Sequence, residues 1–233
     1  MKNTLKKIYD ELFVSYGPQG WWPLVSFKGT NPTKTGSVSG YHVGKYNFPK
    51  TDDERFEICI GAILTQNTAW PNVELALRNL KELEAIEAKK MLYIDEDKLK
   101  VAIKPAGYFN QKAKKLLIFC KFYLELNNKT PTRNELLNLW GIGPETADSI
   151  LLYAYKVPTF VVDTYTRRIF GNLGFVNSDA TYDEIKLFFE KNIAPDLIVY
   201  QEFHALIVEH AKRFYKKKED YDKCPLYVKY KKK

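Results

Sequence analysis

The residues best suited to do chemistry cluster between positions 141 and 163, with an aromatic group upstream. Gly141-Ile142-Gly143 lies between two apolar-periodic stretches, so a second helix starts at a tight glycine turn with its first backbone amides free. Such amides, reinforced by the helix dipole, make a seat for a phosphate. A Rossmann loop is excluded, because a helix precedes the turn and Thr146 stands where the third glycine would fall. Asp163, in Val161-Val162-Asp163-Thr164, enters another helical stretch. A carboxylate there either caps the helix or, in a poorly hydrated cleft, stabilises developing positive charge. Trp21 and Trp22, followed by Pro23, mark an irregular segment, and Trp70 adds a third large ring. Rings of this kind either fill a core or stack on a flat cationic group.

Other chemistries fit poorly. The three cysteines, Cys59, Cys120 and Cys224, are far apart and odd in number, which argues against a disulfide framework. His204 and His210 are six apart, on different sides of a helix, and lack a third ligand. No metal is expected.

The elements that must position these groups are helical. Arg55 to Leu64, Val73 to Leu83, Lys98 to Ile103, Gln111 to Leu126, Glu145 to Tyr155, Thr164 to Leu173, Tyr182 to Asn192 and Ile198 to Tyr215 carry helical periodicity. Thr132, with Glu135 three residues on, predicts a capping box for a helix running towards Trp140. Pro23 to Thr51 is the exception, rich in Gly, Thr, Ser, Pro and aromatics, with Val38, Tyr41, Val43 and Tyr46 interspersed among glycines. It is expected to be a loop or short hairpin, and an excursion of that length suggests a functional lid. The class is mainly α, with two helical lobes: residues 52–157 as a helical-barrel domain, and 1–51 with 158–233 as the second lobe, carrying an irregular or short β insertion at about 24–51.

The chain of 233 residues has a formal net charge of +8, a balance that points to a polyanionic partner. Residues 98–121 hold seven lysines and no acid, and residues 212–233 hold ten Lys or Arg against three acids. Two basic strips on an otherwise acidic body are the footprint of a protein lying along phosphates. No apolar run approaches the length of a membrane span, and the first residues alternate charge and apolarity, so a soluble cytoplasmic protein is expected, nucleoid-associated if prokaryotic.

Four motifs, in order, carry a resemblance: Gly20 to Pro23 (GWWP), Leu64 to Trp70 (LTQNTAW), Gly107 to Leu116 (GYFNQKAKKL) and Gly141 to Asp148 (GIGPETAD). Together they resemble the helix-hairpin-helix DNA glycosylases of the endonuclease III superfamily, and within it the monofunctional 3-methyladenine DNA glycosylases. The resemblance covers most of the chain and breaks at Leu24 to Thr51.

It implies excision of a damaged, alkylated purine from double-stranded DNA by base flipping, with Asp163 as the catalytic carboxylate. Strand-cleaving relatives keep a lysine where this chain has Glu145, and a glutamate cannot form their Schiff base. Base excision alone is therefore implied, with water as nucleophile. Glu145 either faces the base pocket or complements the helix dipole. By resemblance, Trp21 and Trp70 sandwich the flipped base, Trp22 and Pro23 shape its wall, and Lys212 faces the pocket with Asp163 or Glu145 nearby. Gln66 fills the gap left in the duplex, and Tyr108 wedges beside the orphaned partner. Gly141, Gly143, Thr146 and Lys112 complete the DNA-binding set. The family's four-cysteine iron–sulfur loop would follow the last helix, where Cys224 alone stands, so no cluster is expected and the basic tail is read as replacing its DNA contacts. A monomer without membrane association is implied. A glycosylase for an oxidised or deaminated base, or a noncatalytic helix-hairpin-helix DNA-binding module, are the alternatives.

Overall fold

The structure, a computed structural model, describes residues 1–34 and 39–232. Val38, one of the residues expected to form a hairpin, lies outside them. Among the described residues twelve α-helices follow one another: α1 (Lys2–Tyr16), α2 (Asp52–Leu64), α3 (Trp70–Glu82), α4 (Ala88–Tyr93), α5 (Glu96–Ile103), α6 (Phe109–Glu125), α7 (Arg133–Leu137), α8 (Pro144–Ser149), α9 (Thr164–Asn172), α10 (Tyr182–Asn192), α11 (Leu197–Phe214) and α12 (Pro225–Tyr230). The mainly α class is as the periodicity predicts.

Local chemistry sets the helix starts. Thr51, Thr132 and Thr181 each accept from the N3 amide, while Glu54, Glu135 and Glu184 reach back to the capping residue. These reciprocal bonds satisfy amides that would otherwise be orphaned. α7 stops at Leu137, short of Trp140, because the chain needs the next residues to reach the left-handed Gly141 at φ 83°. α8 runs on into a π-helical turn, Ile150–Ala154.

Helix α2 is buried from Phe56 to Leu64 and packs against α3, α6, α8 and the π-helical turn. α11 is buried from Tyr200 to Ala211 and packs against α1, α9 and the same turn. The two apolar helices thus share one neighbour, and the segment after α8 joins the two groups of helices.

Two expectations change. The basic tail, read from the sequence as replacing the DNA contacts of a cluster loop, is a folded element tied to α1, α11 and the end of α9. Cys224 Sγ lies 3.0 Å from His210 Nε2 on α11. Glu11 on α1 accepts from both Lys229 and Tyr230, and the Lys232 amide donates to Leu173 O at 3.0 Å. Likewise, residues 39–48 of the insertion are packed instead of forming a free lid, with Tyr41, His42 and Phe48 buried. An isolated antiparallel bridge, Thr30 to Ser39, is the β structure present there among the described residues.

Candidate active site

Asp163 is itself the N-cap of α9. Its Oδ1 accepts from the Thr166 amide at 2.7 Å and from Thr166 Oγ1 at 2.8 Å. The two roles open to this carboxylate are divided between its oxygens: one caps the helix and the other stays available. Oδ2 lies 3.8 Å from His204 Nε2, beyond hydrogen-bond reach. Both side chains are nearly enclosed, 12 % and 6 % exposed. Burial lowers the His204 pKa and the Asp163 charge opposes that shift only in part. The ring is therefore neutral at pH 7, and Asp163 is not neutralised by it.

His204 was not singled out from the sequence. It lies on α11, and its Nδ1 is 2.7 Å from the Tyr153 hydroxyl, which also donates to Gln201 O at 3.2 Å. Tyr153 comes from the π-helical turn, an irregularity of the kind that re-aims a side chain at a functional site. The signal in the sequence was His204's place in a helix with apolar residues all round.

The aromatic residues gather on this group. Trp21 packs edge-on against His204 at 5.5 Å and against Trp22 at 6.1 Å. Trp22 packs edge-on against Trp70 at 5.4 Å and tilted on Tyr153 at 5.3 Å. Trp22 thus contacts both Trp21 and Trp70. Trp22 is buried with Pro23, while Trp21 and Trp70 are half-buried. A Cβ on Gly61 would lie 3.0 Å from Trp22 Nε1, so a glycine inside α2, which costs about 1 kcal/mol of helix stability relative to alanine, lets the indole lie against the backbone. The Trp22 and Trp70 indole N–H groups are buried without a partner among the described residues.

Glu145 lies in the first turn of α8, open to solvent on one side and crowded by protein on the others. That crowding, reinforced by the Asp163 carboxylate, pushes its pKa up to about 7. Two carboxyl groups, one on each side of the junction after α8, can hold a cationic ring and support charge on an adjacent carbon. Lys212 is only half-buried on α11. Burial lowers its pKa, and the charges that act on it are Glu209 and Lys216, not Asp163 or Glu145, so the expected pairing is not formed.

The residues assigned to DNA divide. Tyr108 fits a wedge: it is 67 % exposed and left-handed at φ 47°, between Gly107 and α6. Gly141 and Gly143 form the hairpin turn, and Gly143 caps α8. Gln66 is held in the hairpin, donating to Gly141 O and Thr146 Oγ1, each at 3.0 Å, and accepting from Lys115 Nζ. Thr146 is correspondingly buried and faces inward, not towards a phosphate. Lys112 is also a correction: it is 2 % exposed, and its Nζ donates to Leu64 O at 2.8 Å and Ala106 O at 2.7 Å. It closes the C-terminal end of α2 onto the loop that carries Tyr108. Exposed Lys114 lies over the exposed Trp140 ring at 4.6 Å, beside the hairpin; it belongs to the Gly107 to Leu116 motif, but its pairing with a ring 26 residues on leaves no local signal in the sequence.

Two surface grooves, one at Pro49 and Tyr155 and one at Arg133 and Tyr200, share no residue with this group. The donor set after α11 does not fit a four-thiolate cluster. Cys224 is buried against His210, while Cys59 and Cys120 are buried in α2 and α6. Among the described residues no group of three or more His, Cys, Asp or Glu is placed to hold a metal ion, and no helix is long and apolar enough to cross a membrane.

Comparison with known proteins gives a consistent picture. The family described as "HhH-GPD superfamily base excision DNA repair protein" matches residues 60–195. A Methanocaldococcus jannaschii protein named "Putative DNA repair glycosylase MJ1434" is 46% identical over 231 residues, covering 94% of this chain and 92% of that protein. Among solved structures, H. pylori 3-methyladenine DNA glycosylase (MagIII) bound to 1,N6-ethenoadenine is 30% identical, with a TM-score of 0.67, covering 91% of this chain and 95% of the other. A non-covalent endonuclease III–DNA complex gives a TM-score of 0.75 at 19% identity, covering 100% of this chain and 95% of that one, a likeness of fold alone.

Proposed function

This chain belongs to the HhH-GPD superfamily of base excision DNA repair proteins and is a DNA glycosylase; within that activity we propose that it is monofunctional and releases alkylated purines such as 3-methyladenine from duplex DNA, leaving an abasic site.

The observation that carries the reading is Glu145 beside Asp163 at the start of α8. A lysine there would supply the amine for a covalent sugar adduct; a glutamate has no such nucleophile. An alkylated purine is cationic and already a good leaving group, so little acid assistance is needed. Recognition rests on the rings of Trp21 and Trp70 and on the Glu145 charge, with Trp22 and Pro23 as the wall. Asp163 Oδ2 stabilises the oxocarbenium-like sugar and orients the attacking water. Tyr108 wedges into the stack, and Gln66 leaves its hairpin bonds to fill the gap. The hairpin around Gly141 and Gly143 takes the backbone, and Lys212, which feels Glu209 rather than Asp163 or Glu145, borders the pocket. Similarity to MagIII across nearly the whole of both chains supports the alkylated-base class. We read the barrel helices of residues 52–157 and the lobe formed by 1–51 with 158–233 as the two sides of this cleft, in a monomer that works without a cluster on cytoplasmic DNA.

Asp163→Asn tests the reading. Asparagine caps helices as well as aspartate does, so α9 is kept and only the negative charge is lost. Base release is expected to fall by a factor of about 100 or more, with duplex binding retained. Release at the wild-type rate would remove Asp163 from the mechanism.

A further inference from the structure

We propose that residues 39–46 of the insertion are a fixed outer wall of the base site, in which His42 holds Trp22 in place. This rests on the glycosylase reading for its consequence, and on hydrogen bonding alone for its geometry.

The segment Gln19 to Val25, which carries both tryptophans, has no helix or strand of its own to hold its backbone. Its polar groups find partners elsewhere, as buried backbone must. Glu202 on α11, 2 % exposed, accepts from the Gln19 amide at 2.7 Å, and from the Gly20 amide and the Tyr46 hydroxyl. Glu57 on α2, 3 % exposed, accepts from the Val25 amide at 2.6 Å. Between these two anchors the insertion supplies the bonds. The His42 amide donates to Gly20 O at 3.1 Å, and the Leu24 amide donates to Gly40 O at 3.0 Å. His42 Nε2 lies 2.9 Å from Trp22 O, and Nδ1 lies 2.9 Å from Lys45 O. The imidazole is 4 % exposed and stacked on Phe48 at 4.6 Å, so it cannot swing away.

The glycines show how close the two segments run. A Cβ at Gly20 would collide with the Val43 backbone, and one at Gly40 would lie 2.8 Å from Leu24 O. Both residues are left-handed, at φ 69° and φ 90°, where a side chain would also be strained. The insertion is thus matched to the tryptophan segment bond by bond. Its consequence is selectivity. A flat aromatic wall that cannot yield accepts a planar cationic ring and excludes bases that need a wider slot. His42 touches no substrate and acts through Trp22, which makes it a positioning residue.

The test compares His42→Ala, His42→Gln and Tyr46→Phe, the last cutting the tie to Glu202 without touching the imidazole. Release of 3-methyladenine from an alkylated duplex, affinity for an abasic-site duplex, and hydrogen exchange across residues 19–25 are measured in each. In His42→Ala the KM is expected to rise about tenfold with kcat within about twofold, abasic-duplex affinity unchanged and exchange at 19–25 accelerated. In His42→Gln, whose amide can donate to Trp22 O, most of the loss should be recovered, and Tyr46→Phe should shift KM and exchange in the same direction by less. A folded His42→Ala with wild-type KM and exchange overturns the proposal. If that variant does not fold, wild-type values in Tyr46→Phe overturn it. Should the wild-type protein release no alkylated base, the substrate reading fails by itself, and the exchange measurement still decides whether residues 39–46 hold the tryptophan segment.

Discussion

Asp163 Oδ2 and His204 Nε2 stand 3.8 Å apart, a carboxylate facing a buried neutral imidazole. The neutral ring forms no ion pair with Asp163, so Oδ2 is not taken up by a charged partner in this enclosed site. Because the Asp163 charge raises the His204 pKa against the larger lowering by burial, removing the charge should lower it further. With only three histidines in the chain, the His204 midpoint can be followed by NMR. In Asp163→Asn the midpoint is expected at lower pH than in the wild type, and an unchanged or higher midpoint would show that the two groups do not interact.

Glu145 titrates at about 7, raised by its crowded position and then by Asp163. Below that pH it is neutral, and above it the carboxylate is available to a cationic base. The kcat/KM for release of 3-methyladenine should therefore rise with pH through about 7 and level off above it. Glu145→Gln should flatten this limb and leave the low-pH rate throughout. A wild-type limb that persists unchanged in the variant would assign it to another group.

Lys112 and Lys114 separate a structural lysine from a phosphate-facing one. Lys112→Met leaves the Leu64 and Ala106 carbonyls unpaired and should destabilise the fold by about 2 kcal/mol, while the salt dependence of duplex binding keeps its slope. Lys114→Met, at an exposed site beside Trp140 and the hairpin, should lower that slope by about one ion with little change in stability. Denaturant unfolding and binding titrations over a range of salt measure both, and the opposite pattern would reverse the two assignments.

The tail should behave as part of the fold. Truncation after Tyr215 removes the Cys224 contact with His210 and the ties of Lys229 and Tyr230 to Glu11. The expected result is a Tm lower by roughly 5–10 °C, the equivalent of a few kcal/mol in a chain of this size. An unchanged Tm with weaker, less salt-dependent DNA binding would make the tail a basic strip for phosphates instead of a part of the fold.

Much of this was legible in the residues, for identifiable reasons. The bounds of α10, Tyr182–Asn192, follow from periodicity, and the Thr132 and Glu135 capping box has a signature that depends on neighbours three residues apart. α4 and α12 were not legible, since six residues give too little periodicity to read. Lys112 was misread because charge was counted along the chain instead of around the helix; it shares the buried face of α6 with Ala113, Leu116, Phe119 and Cys120. Asp163 looked like either a cap or a reactive carboxylate, and its two oxygens divide the work. The partners of residues 19–25 come from α2, α11 and the insertion, contacts for which a single sequence carries no local signal.

The central claim is hydrolysis without strand cleavage, and one gel assay reaches it directly. Duplexes carrying a single alkylated, oxidised or deaminated base are incubated with the protein and resolved with and without alkali. The expected result is cleavage at the alkylated purine only after alkali, marking an abasic site left intact by the enzyme. Cleavage without alkali, trapped as a covalent adduct by borohydride, would contradict it.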